Sequence, residues 1–226
     1  MTHDLTLQSI HPVTHDTYHL SFPRPEGFRY TPGQAVDVTL LREGWRDEAR
    51  PFTFVNSHEA STLDFIIKSY PDHDGVTRQI ATLEPGEQIQ ISEPWGAIHD
   101  AGPGTFIAGG AGITPFIAIL RARLEREGTL EGTTLIFSNK RAEDIILREE
   151  FEAMEGLKTV FLVTDQDAPG EGVHAGRLDH GFLRQYATAE AAPFYICGPD
   201  EMVDDVEKEL VSFGISNAQI IREEFD

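Results

Sequence analysis

Three short stretches hold the residue types best suited to chemistry. Arg50-Pro51-Phe52-Thr53 sets a guanidinium fork, a ring and a hydroxyl close together. The planar donors of arginine match a pyrophosphate; on an acidic protein they equally match a surface ion pair. Phe52 offers a face for stacking, or is a core phenylalanine of an alternating strand. Thr53 offers a hydroxyl, or only β propensity. Gly109-Gly110-Ala111-Gly112-Ile113-Thr114-Pro115 lies between an apolar run and a helix-like run. A strand, a glycine turn and a helix start bring backbone N–H groups and a positive helix end to one point, which suits a phosphate. A G-x-G-x-x-G fingerprint begun at Gly110 fails, because position 115 is proline. Thr114 suits an N-cap and Pro115 the first helical position, so the proline sharpens the helix start. Gly109, Gly110 and Gly112 would let a pyrophosphate approach the backbone; the alternative is a tight turn at a switch in strand order. Cys197-Gly198-Pro199 closes a late apolar run, and a lone cysteine is more often an inert core residue.

Weaker signals surround these. In "FIIKSY", alternation sets Ile66, Lys68 and Tyr70 on one face. A lysine in an apolar strand calls for an anion or water, and a phosphate serves; an edge lysine that deters aggregation fits as well. Gly75, Val76 and Thr77 open a short helix and offer N–H groups and a hydroxyl. Ser138, Lys140 and Arg141 gather two cations in a chain poor in them, either for a phosphate or as a solvated loop before a helix cap. His11, His15 and His19 have helical spacing, but the residues between them favour strand or loop, so no metal site is expected. No serine stands in G-x-S-x-G, and carboxylates are too abundant to single any out.

The elements that must position these residues change character along the chain. "LTLQSI", "TYHLSF", "AVDVTLL", "FTFVNS" and "LDFIIKSY" read as short strands separated by turn formers such as "RPEG" and "TPGQ". "GVTRQIATL" reads as a helix and "PGEQIQISEP" as a turn and strand. Many short strands closely spaced imply a small antiparallel barrel. After "WGAIHDAGPG" strands alternate with helices: "TFIAGGAG", "TPFIAILRARLEREG", "TTLIFSN", "DIILREEFEAM", "KTVFLVT", "LDHGFLRQY", "PFYICG", "DEMVDDVEKELVSFG" and "AQIIREEF". That pattern implies a parallel sheet with right-handed crossovers. The expected domains are residues 1–100 and 101–226.

Composition narrows the partners. The 226 residues carry a net charge of -20 and a single cysteine. Such a surface repels nucleic acid and anionic membranes, and at low salt an acidic protein. It reads as solubility, in a salt-rich cytoplasm, ahead of attraction to a basic partner. One cysteine excludes an internal disulfide and a four-cysteine cluster. No apolar run is long enough for a membrane span, and the N-terminus lacks a signal-peptide pattern, so a cytoplasmic location is expected.

The order of "RPFTFVNS", Gly75-Val76-Thr77, "GGAGITP" and Cys197-Gly198-Pro199 resembles the ferredoxin–NADP reductase family, with its flavodoxin reductase and cytochrome b5 reductase relatives. The resemblance spans nearly the whole chain. It implies a β plus α/β fold, with an N-terminal antiparallel FAD-binding barrel followed by a parallel-sheet NAD(P)-binding domain. It implies that Arg50 holds the FAD pyrophosphate with Lys68, Gly75, Val76 and Thr77. Phe52 stands where the family usually has tyrosine, so the ring can stack but the hydroxyl is missing. Thr53 falls near flavin N5. Thr114 and Cys197 fall near the nicotinamide, the cysteine for packing and polarity and not for attack. Ser138, Lys140 and Arg141 fall at the adenosine ribose and favour NADPH, while "N-K…D-I-I-L-R" also resembles NADH users. Phe225 matches an aromatic that covers the flavin, or plugs an interface. Trp95 either lines the flavin pocket or packs near the domain junction. The implied activity is an FAD-dependent NAD(P)H oxidoreductase serving a separate acceptor: ferredoxin, flavodoxin, or a haem or oxygenase protein. The alternatives are a relay or regulatory subunit of a larger complex, and a free-flavin or ferric reductase. Arg42, Arg46 and Arg50 would give an acidic ferredoxin a basic patch. The motifs imply no particular oligomeric state.

Overall fold

β-Branched and aromatic runs broken by glycine and proline turns fold the first part of the chain as strands. A computed structural model describes residues 1–57, 60–187 and 192–223. The chain divides into two compact units. One is Met1–Gly96 with Thr114–Ala122; the other is Ala97–Ile113 with Arg123–Asp226.

The first unit holds β1 (His3–Thr6), β2 (Ser9–Pro12), β3 (Thr17–Pro23), β4 (Ala35–Leu40), β5 (Ala49–Thr53), β6 (Thr62–Lys68), the short helix α1 (Val76–Ile80) and β7 (Gln88–Ile91). Two antiparallel sheets form, ordered β1-β7-β4-β5 and β2-β3-β6. Their inner residues share one barrel-like core: Leu20 and Phe22 from β3, Val36 and Val38 from β4, Phe65 from β6, Ile89 and Ile91 from β7, and Val76 and Ile80 from α1. "LTLQSI", expected as one strand, is two. Leu7 exchanges backbone bonds with Gly86 and Glu87 beside β7, while the N–H of Gln8 donates to Ser21 on β3. The chain switches sheets at that step, and the inner face of each sheet stays apolar.

The second unit begins with β8 (Thr105–Gly109). A 3₁₀ turn (Gly110–Ile113) leads into α2 (Thr114–Glu127), which runs from one unit into the other. Then come β9 (Thr133–Asn139), α3 (Arg148–Ala153), β10 (Leu157–Val163), β11 (Val173–Ala175), α4 (His180–Leu183), β12 (Phe194–Cys197), α5 (Asp200–Ser212) and β13 (Ile220–Arg222). All pairings in this sheet are parallel, in the order β11-β10-β9-β8-β12-β13. Ile107, Ile136, Leu162 and Ile196 pack on Val203, Val206 and Leu210 of α5. The order reverses between β8 and β12, so their carboxyl ends form the switch point where open α/β sheets bind ligands.

"DIILREEFEAM" was expected as one helix, but only Arg148–Ala153 is α-helical. The buried Asp144 carboxylate accepts the N–H of Arg141 at 2.9 Å and closes a 3₁₀ turn, and Leu147 then takes φ 52. A left-handed leucine cannot continue a right-handed helix, so α3 starts after it. Among the described residues no helix is long and apolar enough to cross a membrane.

Candidate functional site

In the first unit the candidate site is built on β5, which pairs with β4. Alternation sends Arg50 and Phe52 to one face and Thr53 to the other. The core position belongs to Phe54, which is fully buried against Tyr30 (ring centroids 4.2 Å) and Phe65 (5.1 Å). Phe52 is therefore not the strand's core phenylalanine; it is half-buried at the core's edge. Arg50 is about half exposed and pairs with the exposed Glu48 at 2.9 Å. Such a pair contributes little stability and is readily exchanged. Thr53 lies opposite Ala35, and its hydroxyl has no hydrogen-bond partner among the described residues. The segment after Thr53 is tied down. The Tyr30 hydroxyl lies 3.1 Å from the Asn56 carbonyl and 3.0 Å from that of Ser57. Asn56 donates to Thr62 O (2.6 Å) and accepts from the Asp64 N–H (3.2 Å), and Arg121 donates to Val55 O (2.7 Å).

The expected Ile66, Lys68 and Tyr70 row is not brought together. Ile66 is buried, β6 ends at Lys68, and Tyr70 is exposed beside His73. The anion facing Lys68 belongs to the protein: Asp16, at 2.8 Å. Burial alone would push the Asp16 carboxyl up, but Lys68 and the Thr14 and Thr17 hydroxyls outweigh it and hold the group below its ordinary 3.8. At α1, Gly75 is extended and no side chain caps the helix. The Val76 side chain is in the core, so that residue offers only backbone, while Thr77 is half-buried. The expected basic patch is partly offset by the protein's own carboxylates. Arg42 grips Glu87 with two hydrogen bonds (2.7 and 2.6 Å), and Arg46 donates to Leu41 O.

In the second unit the glycine turn and the Cys197-Gly198-Pro199 turn interlock at the switch point. A Cβ on Gly109 would lie 2.5 Å from Met202 Sδ, and one on Gly112 would overlap the Cys197–Gly198 backbone. A Cβ on Gly198 would press on Met202 and on Gly109. Here the expectation needs correction: Gly109 and Gly112 make room for the protein's own chain. Only Gly110, with φ 53 and nothing within 4 Å of its missing Cβ, opens toward free space. Thr114 is not an N-cap either. The 3₁₀ turn already winds the chain from Gly110, so Thr114 is the first α-helical residue, and Pro115 sits in the first turn, where no N–H is needed. No side chain caps α2.

Cys197 ends β12 beside the glycine turn. Burial, with the charge of Glu223 adding to it and the Gly198 N–H opposing, pushes the thiol up to about 12. It stays protonated and is no nucleophile. Glu223 accepts from the Ala97 and Ile98 N–H groups at 3.0–3.1 Å. Nothing in "REEF" singled it out; only the fold brings its charge near Cys197. Ser138 pairs with Gly109 across neighbouring strands, so it shares the switch-point edge. Lys140 and Arg141 follow, both exposed, and neither forms an ion pair among the described residues. Phe225 lies outside the described residues.

An oxidoreductase FAD-binding domain model matches residues 4–99, and an oxidoreductase NAD-binding domain model matches residues 106–208. The chain is 30% identical to NADH-cytochrome b5 reductase 1 of Aspergillus terreus, over 89% of this chain and 74% of that protein. It is 29% identical to NADH-cytochrome b5 reductase 2 of Mycosarcoma maydis, over 90% of this chain but only 63% of that longer protein. A ferredoxin NADP+ reductase from Neisseria gonorrhoeae with bound FAD and NADP superimposes with a TM-score of 0.84 at 22% identity, covering 98% of both chains. The CS-b5R domains of human Ncb5or, in the NAD+ form, give 0.87 at 24% identity over 99% of this chain and 70% of that one. These two likenesses establish the shared fold.

Proposed function

Because the chain belongs to the ferredoxin–NADP reductase family of FAD- and NAD(P)-dependent oxidoreductases, we propose that it draws a hydride from a nicotinamide nucleotide and passes the electrons to a separate redox protein. FAD is assigned to residues 1–100 and the nucleotide to residues 101–226. The observation that carries the reading is the pair of interlocked turns at the carboxyl ends of β8 and β12, with one open glycine and an uncapped helix behind it. Such a point offers N–H groups and a helix dipole to a dinucleotide phosphate.

The residues of the first unit fit FAD. Arg50 exchanges its surface partner Glu48 for a diphosphate, a fork-to-oxygen match stronger than an exposed ion pair. The uncapped N–H groups from Gly75 to Thr77 join it, while Lys68 reaches a phosphate only by giving up Asp16. Phe52 supplies a ring face, and Thr53 supplies a hydroxyl that no described protein atom uses. When bound, FAD accepts the hydride and can release electrons singly or in pairs. Cys197 stays neutral and packs without attacking, so nothing competes with hydride transfer at that strand end. No acid or base is demanded of the chain.

Lys140 and Arg141, exposed beside Ser138 and without an ion pair among the described residues, give an adenosine 2′-phosphate two cations and favour NADPH; the names of the relatives favour NADH. The acceptor we favour is a haem or other redox protein with a basic face. With Arg42 and Arg50 each held by a glutamate, Arg46 alone of that patch is left for an acidic ferredoxin. The single cysteine suits a reducing cytoplasm. The test is an anaerobic visible titration of the FAD-loaded protein with NADPH and, separately, NADH. Bleaching of the flavin bands by at least one nucleotide is expected. FAD uptake without bleaching by either overturns the hydride step.

A further inference from the structure

The two interlocked turns meet on one side chain. Met202, in the first turn of α5, lies against both. A Cβ on Gly109 would come 2.5 Å from its Sδ and 3.1 Å from its Cε, and a Cβ on Gly198 would come 2.6 Å from the same Cε. The thioether therefore fills the space that the two missing Cβ atoms leave, and both glycines are small partly on its account. An unbranched, polarisable thioether suits such an irregular gap. Met202 also packs against the core that holds Ile107, Ile196 and Val206.

A thioether fitted this closely carries a chemical liability. Methionine takes up one oxygen to become a sulfoxide, which is polar, chiral and larger. Of the chain's three methionines, Met1 is the exposed terminus, Met154 is 6% exposed in the core and Met202 is half-buried. Of the two inside the fold, Met202 is the more open to solvent. The thiol of Cys197, on the same turn as Gly198, competes poorly. It stays protonated, and a thiol reacts with peroxide as the thiolate, whereas a thioether has no proton to lose.

We propose that Met202 is a modification site, where oxidation by hydrogen peroxide to the sulfoxide opens the interlock and releases the nucleotide. This inference rests on the nucleotide assignment made above. The sulfur loses two electrons and gains one oxygen; the O–O bond of the peroxide breaks, and its other oxygen leaves as water. The new S–O bond needs room and a hydrogen-bond donor where the sulfur faces Gly109 and an apolar core, so the Gly109 and Gly198 turns are forced apart. FAD is assigned to the other unit, so its binding survives. Methionine sulfoxide reductases return the thioether, which makes the change reversible.

The test exposes the FAD-loaded protein to hydrogen peroxide and reads by peptide mass spectrometry which residues gain oxygen. Nucleotide affinity is then read as the NAD(P)H concentration needed to bleach the flavin. Met202 is expected to gain one oxygen before Met154 does. The concentration needed is expected to rise about tenfold, as for an overpacked contact, while FAD stays bound. Treatment with methionine sulfoxide reductases is expected to reverse both changes. Met202→Leu, close in volume and without sulfur, is compared with its own untreated sample and is expected not to respond. Met202 left intact while Met154 oxidises overturns the proposal, as does a Met202 sulfoxide with affinity unchanged. A loss of affinity to peroxide that persists in Met202→Leu overturns it too. An untreated chain whose flavin neither nucleotide bleaches fails at the nucleotide assignment and takes this inference with it.

Discussion

At the residue scale, the decisive side chains are those the protein leaves unsatisfied. Thr53 is held by its pairing with Ala35, yet its hydroxyl has no partner among the described residues. Thr53→Val keeps the β-branched shape and removes only that group. FAD binding should be little changed, while hydride transfer slows about tenfold, as expected for one lost hydrogen bond at the reacting centre. Stopped-flow bleaching of the flavin measures it; an unchanged rate would return Thr53 to β propensity alone. Cys197 and Tyr195 carry the opposite lesson. Burial raises the thiol from 9.0 to about 12, and burial raises the phenol from 10.0 to about 12. Folded-state values above the unfolded ones mean stability that is complete below pH 9.0 and is lost as pH climbs toward 12. Melting curves across that window should fall steeply for the wild type and less so for Cys197→Ala. Equal slopes would show that the thiol is not the source. Residue type made Arg50, Thr53 and Cys197 visible in the sequence. It did not show that Lys68 is taken by Asp16, since that depends on a residue distant in the chain.

At the element scale, the strand-turn-helix unit at β8 and α2 was legible because its apolar periods and its glycines lie in one stretch. What each glycine does was not legible. Gly112 is small because the backbone of Cys197 and Gly198 comes against it, and Gly109 because of Met202; these partners arrive from β12 and α5 far along the chain. Gly110 is small for a local reason, its φ of 53. The two kinds of glycine should fail differently. Gly110→Ala meets open space and costs only the left-handed conformation, about 1–2 kcal/mol. Gly112→Ala forces two turns apart, costs about 1–3 kcal/mol as overpacking does, and displaces the N–H groups of the turn. We expect Gly112→Ala to retain FAD and lose most of its nucleotide affinity, read as the NAD(P)H concentration needed to bleach the flavin. Nucleotide affinity as good as that of Gly110→Ala would mean that the interlock does not position the turn. The same limit explains the two missed elements. The chain changes sheets between Leu7, bonded to Glu87, and Gln8, bonded to Ser21, and the helix before Arg148 is pre-empted by a buried aspartate, neither of which is a property of local periodicity.

At the scale of the whole molecule, charge governs which acceptors can approach. Aspartate and glutamate total 38 against 18 lysines and arginines, giving a net charge of -20. Arg42 and Arg50 do not relieve this, because Arg42 is bound to Glu87 and Arg50 to Glu48. A field of one sign steers encounters with an oppositely charged partner and slows those with a like-charged one, within a screening length of about 10 Å at 0.1 M salt. The bimolecular rate constant for reduction of a basic haem protein should therefore be highest at low ionic strength and fall steeply as salt is added. With an acidic ferredoxin the slope should reverse, the reaction being slow in dilute buffer and quickening as salt screens the repulsion. Both series can be run on the same FAD-loaded protein, with reduction of the flavin by the nucleotide recorded separately so that salt effects on the first half-reaction are subtracted. An acidic ferredoxin reduced fastest at the lowest salt would require a local basic surface elsewhere on the protein. That result would end the preference for a basic acceptor while leaving the hydride chemistry untouched.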